Sequence, residues 1–374
     1  MIRIMAIVAL SAMLCLGCAA ESETPPEPDV PVPPEHGEAP PPSPDVSETQ
    51  PPPAPVDPKE DVEEEPAPPQ PPQDYGPASG LEPNELGQIP ILMYHHFGHE
   101  EDAWTRTFEN FAADLSYLYN NGYRPITLDS YVSGRIDLPE GMTPVVLTFD
   151  DGLSSQLRWV DGTVGSPDPE SAVGVMLDFA ESNPGFESRG IFYINSPRPF
   201  SPMPPEDMPA TLSWLTERGF ELGNHTHHHA NLGELGTVED IERAIGMTHR
   251  MVLDAARGCE MASLSLPYGI WPPQREAVHD GEFEGTSYRY DSIMLVGAEP
   301  APSPYSTDFS PLETPRIRAS GDQWDLWFGE FENNPSRRYV SDGDPDTVTI
   351  PASLAHKLDE ENITIKWQVL HRDD

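Results

Sequence analysis

The sequence predicts an α/β fold, a (β/α) barrel preceded by a disordered linker. Three observations lead there. From residue 89 to the C-terminus, short apolar segments alternate with amphipathic ones, and repeated strand–helix alternation implies parallel strands. The chain of 374 residues is long enough to bury a large core, and in one domain of this length a barrel suits the alternation better than an open sheet. Residues 19–88, by contrast, lack the apolar content to offset the entropy of ordering.

The first element, "MIRIMAIVALSAMLCLGC" (1–18), has one basic residue, Arg3, an apolar run of about a dozen residues, and then Gly17-Cys18. It reads as an export signal, too short for a membrane span. Gly17-Cys18 resembles a bacterial lipoprotein signal, in which the cysteine is acylated, although Cys15 stands where such signals carry leucine. The expected location is therefore the cell envelope, lipid-anchored at Cys18, with simple secretion as the alternative. Once the signal is removed only Cys18 and Cys259 remain, so no disulfide framework is available. Cys259 is expected to be a structural thiol.

Residues 19–88, as in "ETPPEPDVPVPPEHGEAPPPSPDV", are almost all proline, acid and small residues. They predict an unfolded spacer with polyproline stretches. The folded domain is expected over 89–374. "IPILMY" reads as a buried strand, "TFENFAADLSYLYNNG" as a helix ending at Gly122, and "TPVVLTFDDG" as a strand with a charged loop. "RGIFYIN" is a third strand, "MPATLSWLTERG" a helix, and "FELGNHT" a strand running into a histidine cluster. "TVEDIERAIGMTHRMVLDAA" is a long helix, followed by the strand "ASLSLPYG".

The net charge of −42 argues against nucleic acid and anionic membrane surfaces as partners. Contact with a membrane is left to the N-terminal lipid.

Two places carry chemistry. "VVLTFDDG" puts Asp150 and Asp151 at the C-terminal end of a buried strand, where parallel α/β folds build their sites. Adjacent carboxylates repel, so a cation that neutralises one of them accounts for the pair; a solvated Asp-Gly turn is the alternative. "HTHHHANL" places His225 and His229 four apart, a spacing that sets both imidazoles on one face of a helical turn. One carboxylate and two imidazoles make a three-ligand set with positions left open, as a catalytic zinc requires. His227 and His228 lie between and are expected to point elsewhere.

"TFDDG", "HTHHHANL" and "LPYG", in this order and each after a predicted strand, resemble the first three motifs of the NodB-type polysaccharide deacetylases, carbohydrate esterase family 4. The resemblance covers residues 89–317 and implies a distorted barrel and a polysaccharide substrate at the envelope. It implies a divalent metal, usually zinc, on Asp151, His225 and His229. Asp150 would be the general base, a backbone N–H near Tyr268 would stabilise the oxyanion, and Thr226 would support the ligand loop. Removal of N-acetyl groups from an N-acetylglucosamine polymer is the leading expectation. An O-acetyl esterase, or a degenerate carbohydrate-binding protein without activity, is the alternative.

The chain departs from the pattern twice. Ser265 stands where many members carry the arginine that orients the base, so the partner of Asp150 is open; Arg316 and Arg318 in "TPRIRAS" are candidates. The late motif that supplies the general acid is not evident, since "SLAHKL" with His356 fits poorly. "ILMYHHF" is instead similar to the opening of the poly-N-acetylglucosamine deacetylase branch, which implies His95 as the acid, with His96 second. An imidazole with a near-neutral pKa suits that role. Tyr94, Tyr268, Trp271 and Trp324 are candidates for lining a sugar groove.

Overall fold

A computed structural model of the protein describes residues 74–370. The expected signal and lipid anchor, and the linker up to residue 73, lie outside the described residues. Among those described, no helix is long and apolar enough to cross a membrane.

Eight strands make one sheet: β1 (Ile91–Tyr94), β2 (Tyr123–Pro125), β3 (Thr143–Asp151), β4 (Ile191–Ile194), β5 (Glu221–Asn224), β6 (Ser263–Ser265), β7 (Ser292–Met294) and β8 (Ile317–Arg318). Their order is β7-β6-β5-β4-β3-β1-β8, with β2 paired to the start of β3, and every pairing is parallel. The two ends of this row meet. Thr314, just before β8, bridges Met294 of β7, donating its N–H to Ile293 at 3.0 Å and accepting from Leu295 at 2.9 Å. The sheet is therefore a curled barrel, the fold the strand–helix alternation predicts.

The helices pack outside: α1 (Phe108–Asn120), α2 (Ala172–Ser182), α3 (Met208–Glu217), α4 (Val238–Ala255) and α5 (Asp322–Asn333). Thr107, Ser171 and Thr237 cap three of them, each side chain accepting from an N–H in the first turn. Helix α4 buries Ile241, Ile245, Thr248, His249 and Val252, a stripe at helical spacing.

Strand β3 sets the geometry of the interior. Val145, Leu147 and Phe149 join the cluster that contains the helix residues, whereas Val146 joins a second cluster with Ile91, Ile191, Tyr193 and Met294. Side chains alternate along a strand, so Val146, Thr148 and Asp150 all point into the barrel. Apolar residues fill its lower part and polar ones its upper part.

The start of the domain corrects the sequence reading. Residues 74–88, assigned to the linker, pack onto the barrel. Arg124 takes the carbonyls of Tyr75 and Pro77. Asn84, Glu85 and Leu86 are buried, and the Glu85 carboxylate accepts from Tyr339 Oη at 3.0 Å and Thr349 N at 2.6 Å. Burial pushes the Glu85 carboxyl up to about 8. This segment is ordered by hydrogen bonds to distant parts of the chain, so its polar composition hid it.

Candidate active site

Four strands deliver the candidate residues at their C-terminal ends. Strand β3 ends in Asp150 and Asp151, β5 runs into His225–His229, β6 leads to Tyr268, and β1 to His95. Parallel strands bring such termini to one rim.

Asp151, His225 and His229 converge: one ligand atom from each lies within 4.8 Å of the others. Asp151 Oδ1 is 3.6 Å from His225 Nε2 and 3.8 Å from His229 Nε2. His225 Nδ1 is 2.8 Å from the Ser265 carbonyl, which fixes that nitrogen as the N–H donor. Its buried Nε2 then faces the cluster with no hydrogen-bond partner. A buried acceptor left unpartnered among a carboxylate and a second imidazole is what a divalent cation satisfies. Burial also lowers the His225 pKa, against the pull of Asp150 and Asp151, so the ring is neutral and able to coordinate. These residues fit zinc or a similar ion.

The route to that convergence differs from the sequence reading. His225 and His229 do not share a helical face. Thr226, His228 and His229 have φ of 59°, 54° and 56°, a left-handed loop that folds the rings to 4.7 Å between centroids. Such backbone costs energy for non-glycine residues, and the surroundings hold it. Asn224 Oδ1 accepts from Thr226 N at 2.8 Å, Thr226 Oγ1 donates to Ala230 O at 3.2 Å, and His228 N donates to Asn195 O at 2.7 Å. Asn195 also donates its side-chain amide to Asp151 Oδ1 at 2.7 Å, tying carboxylate and histidine loop together. The rings of His227 and His228 pair with each other, 4.1 Å apart, and neither joins the ligand cluster.

The partner of Asp150 is Arg316. Both are buried inside the barrel. Arg316 Nη1 donates to Asp150 Oδ1 and Nη2 to Oδ2, each at 2.8 Å. The other donors reach Thr148 Oγ1 at 3.0 Å, Ser265 Oγ at 2.9 Å and Leu295 O at 2.8 Å. Ser265 is thus the small residue that leaves room for a guanidinium arriving from β8, and its own hydroxyl reaches Asp150 Oδ2 at 3.2 Å. Burial by itself would raise the Asp150 carboxyl. The Arg316 charge, the neighbouring histidines and the paired hydrogen bonds outweigh it and hold the carboxyl well below the usual range. Arg318 lies elsewhere, over Trp104 and 3.6 Å from Asp322.

His95 Nε2 is 3.8 Å from Asp150 Oδ2, on the side away from the loop histidines' own strand. Burial drives its pKa down to about 4, despite the attraction of Asp150. The near-neutral value expected from the sequence is corrected: the ring is neutral as the site stands. Gln156, fully buried, donates to the carbonyls of both His95 and Asp150 and so locks the two loops together. His96 is exposed, and His356 is exposed on the 3₁₀ turn Ala352–Lys357.

Of the aromatic candidates, two belong to the core. Tyr94 is buried and donates to Asp114 at 3.2 Å; Trp324 is buried against Tyr117 and Phe328. Trp271 is half-buried beneath Arg275. Tyr268 is exposed, its φ is 61°, and its ring lies 4.6 Å from that of His229. The sequence reading missed Gln156, Asn195 and Trp104, none of which stands in a motif.

Residues 138–280 match the family model "polysaccharide deacetylase". No curated protein sequence matches the chain. Among solved structures, a Bacillus anthracis protein, BA0330, is similar at 17% identity over 62% of this chain and 65% of its own, with a TM-score of 0.47. A polysaccharide deacetylase from Bacillus cereus is similar at 16% identity, over 65% of this chain and 68% of its own, TM-score 0.47. IcaB from Ammonifex degensii shares 17% identity over 64% of this chain and 94% of its own, TM-score 0.44. The chain thus spans a little under two thirds of the first of these.

Proposed function

We propose that this chain, residues 138–280 of which match a polysaccharide deacetylase family model, is a hydrolase of carbon–nitrogen bonds that removes N-acetyl groups from an N-acetylglucosamine-containing polysaccharide at the cell envelope. The observation that carries the reading is one convergence. Asp151, His225 and His229 present ligand atoms to a common point, with the unpartnered His225 Nε2 among them, and a second carboxylate stands beside them.

Asp151, His225 and His229 would hold a divalent metal, and their mixed oxygen and nitrogen donors suit zinc. When bound, that ion acts as a Lewis acid on the acetamide carbonyl and on water. Asp150, kept ionised and aimed by Arg316, takes the proton of the attacking water as its oxygen bonds to the carbonyl carbon. His95, 3.8 Å from Asp150, is placed to receive a proton and hand it to the nitrogen as the C–N bond breaks. The Tyr268 N–H, on a left-handed turn at the rim, is the oxyanion donor of this scheme. The products are acetate and a free amine. Export and an acyl chain on Cys18 would place the domain beside such polymers.

Ser265 does not weaken the reading, because Arg316 does what an arginine at position 265 would do. The test is metal content together with acetate release from chitin oligomers. A metal-loaded protein that releases no acetate from any N-acetylated glycan would end the proposal.

A further inference from the structure

Trp104 stands at the mouth of the barrel without a task in the chemistry above. The residue is 43% exposed, a large side chain left partly in water. Yet its backbone is fixed. Trp104 N donates to Asp102 Oδ1 at 2.7 Å, its carbonyl accepts from His96 N at 3.0 Å, and Ser320 Oγ donates to the preceding Ala103 carbonyl at 2.6 Å. Glu101, in the same loop, is tied to Arg106, Thr107 and Asn110. The indole meets the His95 ring edge to face, 4.8 Å between centroids, with the Arg318 guanidinium 5.3 Å from its own centroid.

The position is as telling as the rigidity. Trp104 follows β1, and the exposed Tyr268 follows β6. Around the barrel these strands are separated by three strands on one side and two on the other, so the two residues stand on opposite sides of the mouth. Trp104 is in contact with His95, Tyr268 with His229. His95 in turn lies 3.8 Å from Asp150, and His229 lies 3.8 Å from Asp151.

We infer that Trp104 is the stacking platform for a pyranose ring, opposite Tyr268, so that the acetyl-bearing sugar is held over Asp150 and Asp151. The inference rests on the deacetylase reading and names the residue that recognises the sugar ring of its glycan, which a small acetamide lacks. The C–H face of a pyranose is apolar and weakly positive, which suits the electron-rich indole face. An aromatic side chain held in place before binding loses little entropy on contact. Trp104 in this account is a specificity residue, distinct from a group that only covers His95.

The experiment uses N-acetylchitotetraose and two backgrounds. In the Asp150→Asn protein, where turnover is blocked, calorimetric binding of the tetramer should weaken at least about tenfold with Trp104→Ala and stay within about threefold with Trp104→Phe. In the otherwise native enzyme, Trp104→Ala should raise KM for the tetramer by a similar factor. It should also lower the ratio of kcat/KM on the tetramer to that on phenyl acetate. Unchanged binding and KM would overturn the inference. So would an equal loss of kcat on both substrates, because that would make Trp104 a support for His95. Failure of the Asp150→Asn protein to bind the tetramer at all would also overturn it. Tetramer bound through Trp104 with no acetate released by the native enzyme would sustain the platform and remove the deacetylase reading, which separates the two.

Discussion

Arg316 and Asp150 meet as two parallel hydrogen bonds of 2.8 Å inside the barrel, with both side chains almost wholly out of water. Removing one member of such a pair leaves the other charged and unsolvated, at a cost of about 3–5 kcal/mol, whereas removing both together costs far less. Arg316→Met is therefore expected to destabilise the metal-free protein by about that amount in urea unfolding. Adding Asp150→Asn to it should restore most of the loss. A double variant no more stable than Arg316→Met would show that the arginine holds the fold through its other partners instead.

Asp150→Asn alone should keep the metal and lose at least about a hundredfold in kcat, the scale of a missing general base. Metal analysis paired with acetate assays distinguishes this from Asp151→Asn, which should lose both. Near-normal turnover in Asp150→Asn would assign the base elsewhere.

Asn195→Ala removes the amide that orients Asp151 and leaves the three ligand side chains intact. Metal affinity should fall about ten- to a hundredfold, the usual effect of a group that positions a ligand. Competition with a chromophoric chelator measures it, and an unaltered dissociation constant would contradict the role.

Zinc should raise the melting temperature of the native protein, with a stabilisation of about 2.7 kcal/mol at a free concentration a hundred times the dissociation constant. His225→Ala should abolish the effect, and a chelator should reverse it. A thermal shift of equal size in His225→Ala would place the ion outside the proposed cluster.

The His95 ring makes the metal-free protein acid-sensitive. Its pKa falls from an ordinary 6.5 to about 4 in the folded state, so between those values the unfolded chain binds the extra proton. The contribution to stability is full above about pH 6.5 and is lost as pH drops toward 4, on the order of 3 kcal/mol in all. Urea unfolding at several pH values should show that slope in the native protein and a flatter one in His95→Gln. Identical slopes would mean that the ring is not buried as a neutral imidazole.

Much of this was legible because apolar periodicity and motif position are local signals. The strands over Ile91–Tyr94, Thr143–Asp151 and Glu221–Asn224 follow from apolar runs ending in charged or polar loops, and the convergence of Asp151, His225 and His229 follows from parallel strands. What escaped depends on contacts distant in sequence. Spacing put His225 and His229 on a helix, but Asn224 and Asn195 stabilise a left-handed loop instead. Composition placed residues 74–88 in the linker, though Arg124 and Thr349 bind them through backbone and carboxylate groups. Nothing around Trp104 marks it, because its neighbours in space, His95 and Arg318, come from β1 and β8.

The barrel closes through the bridge between Met294 and Thr314, and the guanidinium that neutralises Asp150 comes from 166 residues further along the chain. Synthesis therefore lays down the acid and the three candidate ligands long before their counter-charge exists. A nascent or clipped chain ending before residue 314 holds every motif and still has a bare carboxylate where the barrel interior should form. Folding of the centre has to wait for β8. On the proposed reading, the arrival of β8 is the event that would switch the site on, and chains cut short before it would stay inert.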